Sequence, residues 1–302
     1  MKYDIEADWV LLSACNYRCD YCFWNEKELN KRIQLNDSVK SIITFFERSE
    51  LTWLVHLTGG EPFAFPGFTR LCQGLVGKHF ISLNTNLSLP GIDEFKVSID
   101  PKRVSFINCA LHIQQREQRE GISLFLRRFH SLQKHGFRSF VSYVMVPSLF
   151  DRFEDDFCFF KSEGIPLIPK MLQGTFAGEI FPDAYTESQR QLFNNYSLLA
   201  EDYYCQIQGD NQEKESINLS LDREFVSNGI PDYRGRLCQA GYKFVRIREN
   251  GDIRRCGPAD VLGNLLSGIF YWRGTPSVCS EMECPYFCAK YVLPSGSAPD
   301  SK

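Results

Sequence analysis

Apolar residues recur along this chain in short runs separated by stretches with helical spacing. Trp9, Val10, Leu11 and Leu12 read as a buried strand that stops at Ser13. Leu35, Val39, Ile42, Ile43 and Phe46 then follow a helical period, with Asn36 and Asp37 as candidate caps. Further strand candidates lie at Trp53 to Leu57, Phe80 to Leu83, Phe95 to Ile99, Phe140 to Val146, and Leu167 to Ile168. Helical material lies between them, clearest at Phe125, Phe129 and Leu132. Strands alternating with helices, each returning the chain to begin another apolar strand, predict parallel βαβ units. Six such strands predict an α/β fold in the form of a partial barrel, short of the closed eightfold one.

After Phe181 and Pro182 the pattern changes. Thr186 and Gln189 fit a capping box that opens a helix through Leu192, Tyr196 and Tyr203. Residues 207–236 are polar and weakly patterned and read as a bridge. The chain therefore divides into a barrel over 1–182, a helical bridge over 183–236, a cysteine-rich domain over 237–293 and a flexible tail over 294–302.

The length of 302 residues agrees with one barrel-sized domain carrying an appendage. Hydrophobic residues make up 43% and charged residues 24%, which excludes a disordered or fibrous chain. A net charge of −3 gives no broad basic field, which argues against a nucleic-acid or anionic-lipid partner. No run approaches the roughly 18 apolar residues needed to span a bilayer. The opening MKYDIEADWVLL is acidic where a secretory signal is basic, so the expected location is the cytoplasm.

Cysteine changes the picture, because its 12 copies are unevenly placed. Three lie in residues 15–22 and five in 238–288, while Cys72, Cys109, Cys158 and Cys205 are scattered. In a reducing compartment two clusters of thiols point to bound metal, and the scattered four read as small buried hydrophobes. Cys15, Cys19 and Cys22 are spaced CX3CX2C, with Tyr21 before the last of them. Three thiolates on one loop can hold three irons of a cubane cluster and leave the fourth open to the amino and carboxylate groups of a small ligand. Zinc fits less well, since it takes four ligands and the next histidine is His56.

This loop, ACNYRCDYCFW, resembles the signature of the radical S-adenosylmethionine (radical SAM) superfamily. The resemblance implies a SAM-binding 4Fe-4S cluster on Cys15, Cys19 and Cys22, placed after the first strand of a partial (β/α)6 TIM-like barrel. Thr58 to Pro62 resembles the family's GGEP motif, which implies that Gly59, Gly60 and Glu61 contact the cofactor. The two glycines would let backbone approach the ligand, and backbone groups with the Glu61 carboxylate nearby would receive an ammonium. Asn84, Thr85 and Asn86 resemble a TNG-like segment with Leu87 in place of Gly, which adds Asn86. Ser98, Ile99 and Asp100, expected at the end of a fourth strand, resemble an SIDG-like segment with Pro101 in place of Gly. Ser98 and Asp100 would then contact the ribose or carboxylate of SAM.

In the second group, Cys238, Gly251 and Cys256 resemble the opening of the SPASM and shorter "twitch" extensions of radical SAM enzymes. Asn250 and Gly251 predict a hairpin turn between Phe244 to Arg248 and Ile253 to Arg255. Cys279, Cys284 and Cys288, spaced CX4CX3C, replace the longer closing run of SPASM. Five thiols satisfy one auxiliary 4Fe-4S cluster with one to spare: Cys238 and Cys256 with two of the last three. By spacing alone a zinc ribbon fits equally well, and the upstream loop favours iron and sulfur.

The resemblance implies an enzyme in which a flavodoxin- or ferredoxin-type reductant supplies one electron and SAM yields a 5′-deoxyadenosyl radical that abstracts hydrogen. With an auxiliary cluster as electron acceptor the expected outcome is net oxidation of a small molecule in natural-product or sugar metabolism. A peptide-modifying maturase or an epimerase is the second reading, and a non-catalytic iron-sulfur carrier or scaffold the third. His112, Tyr143, Lys170 and Gln173 are the candidate substrate contacts, together with the loop Gly174 to Phe181.

Overall fold

The computed structural model describes residues 1–29, 39–208, 219–257, 259–284 and 287–293. Leu35, the caps Asn36 and Asp37, the thiols of Cys205 and Cys288, and the tail from Pro294 lie outside the described residues.

Six parallel strands pair in chain order: β1 (Ile5–Leu12), β2 (Trp53–Gly59), β3 (Phe80–Thr85), β4 (Val104–Ala110), β5 (Ser139–Met145) and β6 (Leu167–Met171). A short helix α1 (Glu26–Leu29) follows the first cysteine loop, and α2 (Val39–Arg48), α3 (Phe68–Val76), α4 (Gly91–Ser98), α5 (Ile113–Glu117), α6 (Gly121–Lys134) and α7 (Phe150–Ser162) fall between strands. This is the partial barrel that the alternation predicts. Strand residues of one parity, among them Trp9, Trp53, Val55, Leu57, Ile81 and Leu83, are fully buried in the main core. Phe46 of α2 anchors that layer, its ring 6.1 Å from Trp9 and 5.5 Å from Trp53.

One expected strand is corrected. Residues 95–99 are not extended: Phe95 belongs to α4, and the fourth strand is Val104–Ala110. Ile92, Phe95 and Ile99 are buried at helical spacing, and Asp93 and Glu94 occupy the first turn, where they favour the helix dipole. Ser98 and Asp100 are both exposed, and the Asp100 side chain accepts from the Lys102 backbone N–H before β4 begins. They stand at the entry of β4, the opposite end of the sheet from the cysteine loop, so they are withdrawn as SAM contacts.

The opposite strand parity faces the concave side. Its lower level is filled in two ways. Glu6, His56 and Ser82 form a buried polar row, while Phe106, Phe140 and Ile168 pack against Ala200 and Tyr203. The latter two belong to α8 (Glu187–Gln208), which starts at the predicted capping box. Gln189 N–H donates to Thr186 Oγ1 at 3.3 Å and Thr186 N–H to Gln189 Oε1 at 3.0 Å. Within the stretch read as an unpatterned bridge lies α9 (Leu219–Asn228), whose Asp222 accepts from the Met171 N–H of β6 at 3.2 Å. Its own apolar pattern is weak because polar tertiary contacts of this kind help fix it.

The C-terminal segment extends the barrel sheet. The predicted hairpin is present as β10 (Phe244–Ile247) and β11 (Asp252–Arg254), and β10 pairs in parallel with β1. With β12 (Val261–Asn264) and β13 (Ile269–Phe270) the sheet reaches ten strands, in the order β13-β12-β11-β10-β1-β2-β3-β4-β5-β6. Two small antiparallel pairs stand apart: β7 (Gly174–Phe176) with β8 (Glu179–Phe181), and β9 (Leu237–Cys238) with β14 (Ser277–Val278). The loop Gly174 to Phe181 is thus a hairpin, with Thr175, Glu179 and Ile180 exposed. No described helix is long and apolar enough to cross a membrane.

Candidate active site

Cys15, Cys19 and Cys22 lie on the loop that leaves β1 at its C-terminal end. Three long-range rungs join this loop to the connection after β4. The Tyr21 hydroxyl bonds His112 Nδ1 at 2.8 Å, Arg18 N–H donates to Gln115 Oε1 at 2.9 Å, and the Tyr17 hydroxyl donates to Glu120. A fourth tie runs to the end of β3, where Asn86 Nδ2 donates to Asn16 Oδ1 at 3.1 Å and Asn16 Nδ2 to Ser88 Oγ at 2.7 Å. The loop is therefore held in place by the protein itself, and its thiols share one small region. Burial pushes Cys15 up to about 11 and Cys19 up to about 12, and raises Cys22; the neighbouring thiolates add to the rise at Cys15 and Cys19. A cluster takes thiolates, so loading must displace these protons. Anaerobic reconstitution is expected to accelerate as pH rises from 6.5 to 8.5, with proton release measurable by an indicator dye.

The GGE segment ties the end of β2 to the root of the cysteine loop. Gly60 N–H donates to Leu12 O at 2.8 Å and Glu61 N–H to Ala14 O at 2.9 Å. A Cβ on Gly59 would stand 2.2 Å from Leu12 O, and one on Gly60 2.1 Å from Ala14 O. Both glycines are thus required where β2 passes against the root of the cysteine loop. Glu61 is fully buried, and its carboxylate accepts from Phe63 N–H, Thr85 Oγ1 and Asn86 N–H at 3.2, 2.7 and 2.7 Å. Burial raises its pKa, opposed by those three donors. The Glu61 carboxylate thus pins the β3 end beside the loop. Leu87 adopts φ 55°, the left-handed conformation in which the resembling segment carries glycine.

The four candidate substrate contacts separate. His112 joins the site through Tyr21, and burial with the nearby Arg116 charge pulls it down to about 4, so it is neutral at pH 7. Tyr143 is corrected: it has the outward parity of β5, it is buried, and its hydroxyl donates to Asp156 of α7 at 2.7 Å. Lys170 lies on the concave parity of β6 and pairs with Asp222 at 2.8 Å, while Gln173 is exposed just past the strand. Sequence reasoning missed Tyr17, Arg18, Gln115 and Glu120, whose partners lie about 100 positions away and leave no local period. It also missed Arg116, which is fully buried between the Tyr17 and Phe125 rings; its Nη2 has no hydrogen-bond partner among the described residues. On the concave face Asn84 and Asn108 are paired in register, and Asn108 Oδ1 is buried without a partner among the described residues.

At the C-terminus, Cys238, Cys256, Cys279 and Cys284 line one cavity. Burial raises Cys238 and pushes Cys256 up to about 11. Cys72 and Cys109 are buried, as expected of small hydrophobes, while Cys158 is exposed.

The model of the radical SAM superfamily matches residues 9–160, half of the chain. The chain belongs to the radical SAM superfamily, and membership implies an enzyme that uses a 4Fe-4S cluster and SAM. The described donor set fits: three thiols on one clamped loop, at the C-terminal end of a parallel strand. Among solved structures, native anSMEcpe with bound AdoMet superposes with a TM-score of 0.58 at 14% identity, covering 87% of this chain and 78% of that one. SuiB from Streptococcus suis bound to its precursor peptide SuiA gives 0.54 at 14% identity, covering 89% and 65%. These likenesses establish the shared fold. No curated protein matches the sequence.

Proposed function

We propose that this chain cleaves SAM reductively and oxidises a substrate held on the concave face of its barrel, with one auxiliary 4Fe-4S cluster as electron acceptor. The observation that carries the second half is the single cavity lined by Cys238, Cys256, Cys279 and Cys284. Four thiolates are the complete ligand set of a 4Fe-4S cluster, so the auxiliary site is closed to substrate and suited to electron transfer. When bound, SAM and the cluster on Cys15, Cys19 and Cys22 supply a hydrogen-abstracting radical. The protein's part is to hold and to shield. The Tyr17, Arg18, Tyr21 and Asn16 rungs fix the loop, and α8 closes the lower barrel to water.

A second reading, a peptide as substrate, is favoured by one finding: anSMEcpe is also solved with bound AdoMet and the Kp18Cys peptide, and SuiB with its precursor peptide. A small oxidisable metabolite is the other reading. The domain limits 1–182, 183–236 and 237–293 serve this proposal as functional units, although β10 joins the last to the first in one sheet.

Anaerobic incubation with SAM and a one-electron reductant is expected to yield 5′-deoxyadenosine. No product from protein carrying its full iron would overturn the enzyme reading. The metal count tests the auxiliary site: about eight irons per chain are expected, falling to about four when Cys238 and Cys279 are both replaced by alanine. One zinc with about four irons would make the C-terminal site a zinc ribbon.

A further inference from the structure

We infer that Arg255 is a positioning residue that raises the reduction potential of the auxiliary cluster, by placing an unscreened positive charge beside its thiolates. The inference rests on the auxiliary-cluster reading above.

Arg255 precedes Cys256 and lines the same cavity as the four thiols. It is only 8% exposed. Its guanidinium ties together the three segments that bring cysteines to the cavity. Nε donates to Ala240 O at 3.3 Å, close to Cys238, while Nη2 donates to Ser277 O and Val278 O at 3.3 and 2.9 Å, beside Cys279. Held by three carbonyls, the charge cannot swing out to water.

A 4Fe-4S cluster on four thiolates carries a net charge of about −2 when oxidised and about −3 when reduced. A fixed cation stabilises the more negative state more, which makes acceptance of an electron easier. The other charged groups lining the cavity, Glu281 and Glu283, act in the opposite sense. Glu283 is exposed and Glu281 is partly exposed, so water and salt screen both, whereas the buried arginine is shielded from them. The arginine therefore dominates. It gives the C-terminal site the character of an acceptor, the role that net oxidation assigns to it.

The experiment uses the full chain with Cys15, Cys19 and Cys22 replaced by alanine, so that only auxiliary iron is counted. The midpoint potential is then read by redox titration followed by electron paramagnetic resonance. Arg255→Gln keeps a donor for the carbonyls and removes the charge; Arg255→Lys keeps the charge with a single donor group. The glutamine variant is expected to retain about four irons and to titrate at a more negative potential, with the lysine variant near the parent. Equal potentials in all three proteins would overturn the inference. Equal loss of iron from both variants would also overturn it, by making Arg255 a scaffold alone. Failure of the underlying reading looks different, because the parent with Arg255 intact would then hold no iron at this site.

Discussion

Replacing Gly60 with alanine is expected to abolish 5′-deoxyadenosine formation, although no group that could touch the reacting atoms is removed. The added Cβ would stand 2.1 Å from Ala14 O and 2.6 Å from Ser13 O, both of them backbone atoms that no rotamer change can move. Overpacking of this kind typically costs about 1–3 kcal/mol. The least costly escape is displacement of residues 13–15, which breaks the Gly60 N–H to Leu12 O and Glu61 N–H to Ala14 O bonds and carries Cys15 away from Cys19 and Cys22. Iron should therefore fall from about eight to about four per chain, with the C-terminal site still loaded. Retention of full iron and activity would show that the glycine is a matter of turn chemistry alone.

The second large effect is on stability. Glu6 is fully buried at the bottom of the barrel, where Tyr3 donates at 2.6 Å, His56 Nε2 lies at 3.2 Å and Lys290 Nζ at 2.9 Å. Lys290 lies in the helical turn Phe287–Tyr291 and so ties the C-terminal segment into the barrel. Lys290→Met is expected to cost about 3 kcal/mol, the lower end for breaking a buried pair, because His56 and Tyr3 still contact the carboxylate. Adding Glu6→Gln to that variant should restore much of the loss, as removal of both charges leaves nothing uncompensated. Denaturant unfolding of the two proteins and the parent measures this; equal stability of parent and Lys290→Met would refute it.

The same carboxylate sets an acid limit. Burial pushes Glu6 up, but His56, Lys290 and Tyr3 together overcome that and hold it at about 2, against an ordinary 4.5. A group depressed on folding contributes stability that is complete above its unfolded pKa and is lost as pH falls toward the folded one. Stability should therefore decline between about pH 4.5 and pH 2, and Glu6→Gln should flatten that part of the profile.

Much of the site is legible in the chain because it is locally encoded. CX3CX2C after an apolar strand, GGE after the next, the Thr186 and Gln189 capping box and the Asn250-Gly251 turn all depend on neighbours within a few residues. Phe95 to Ile99 shows the limit of such reasoning. A short run rich in apolar residues suits a strand or one face of a helix, and only packing against the barrel decides. The error moved Ser98 and Asp100 to the wrong end of the sheet. Tyr143 failed for a related reason: alternation tells which strand residues share a face, without telling which face is concave.

The sequence by itself determined the parallel α/β barrel, the placement of three thiols at the end of its first strand, and a second thiol group borne by a hairpin. Each follows from periodicity and spacing, which act over one or two turns of chain. Only the tertiary structure decided that Gly59 and Gly60 serve the approach of β2 to the cysteine loop, and that Tyr21, Arg18 and Tyr17 are clamped from beyond β4. It also decided that Cys238, Cys256, Cys279 and Cys284 share one cavity with a buried arginine. Those groups lie tens to about a hundred residues apart, and they meet because consecutive parallel strands bring successive loops to one end of the sheet.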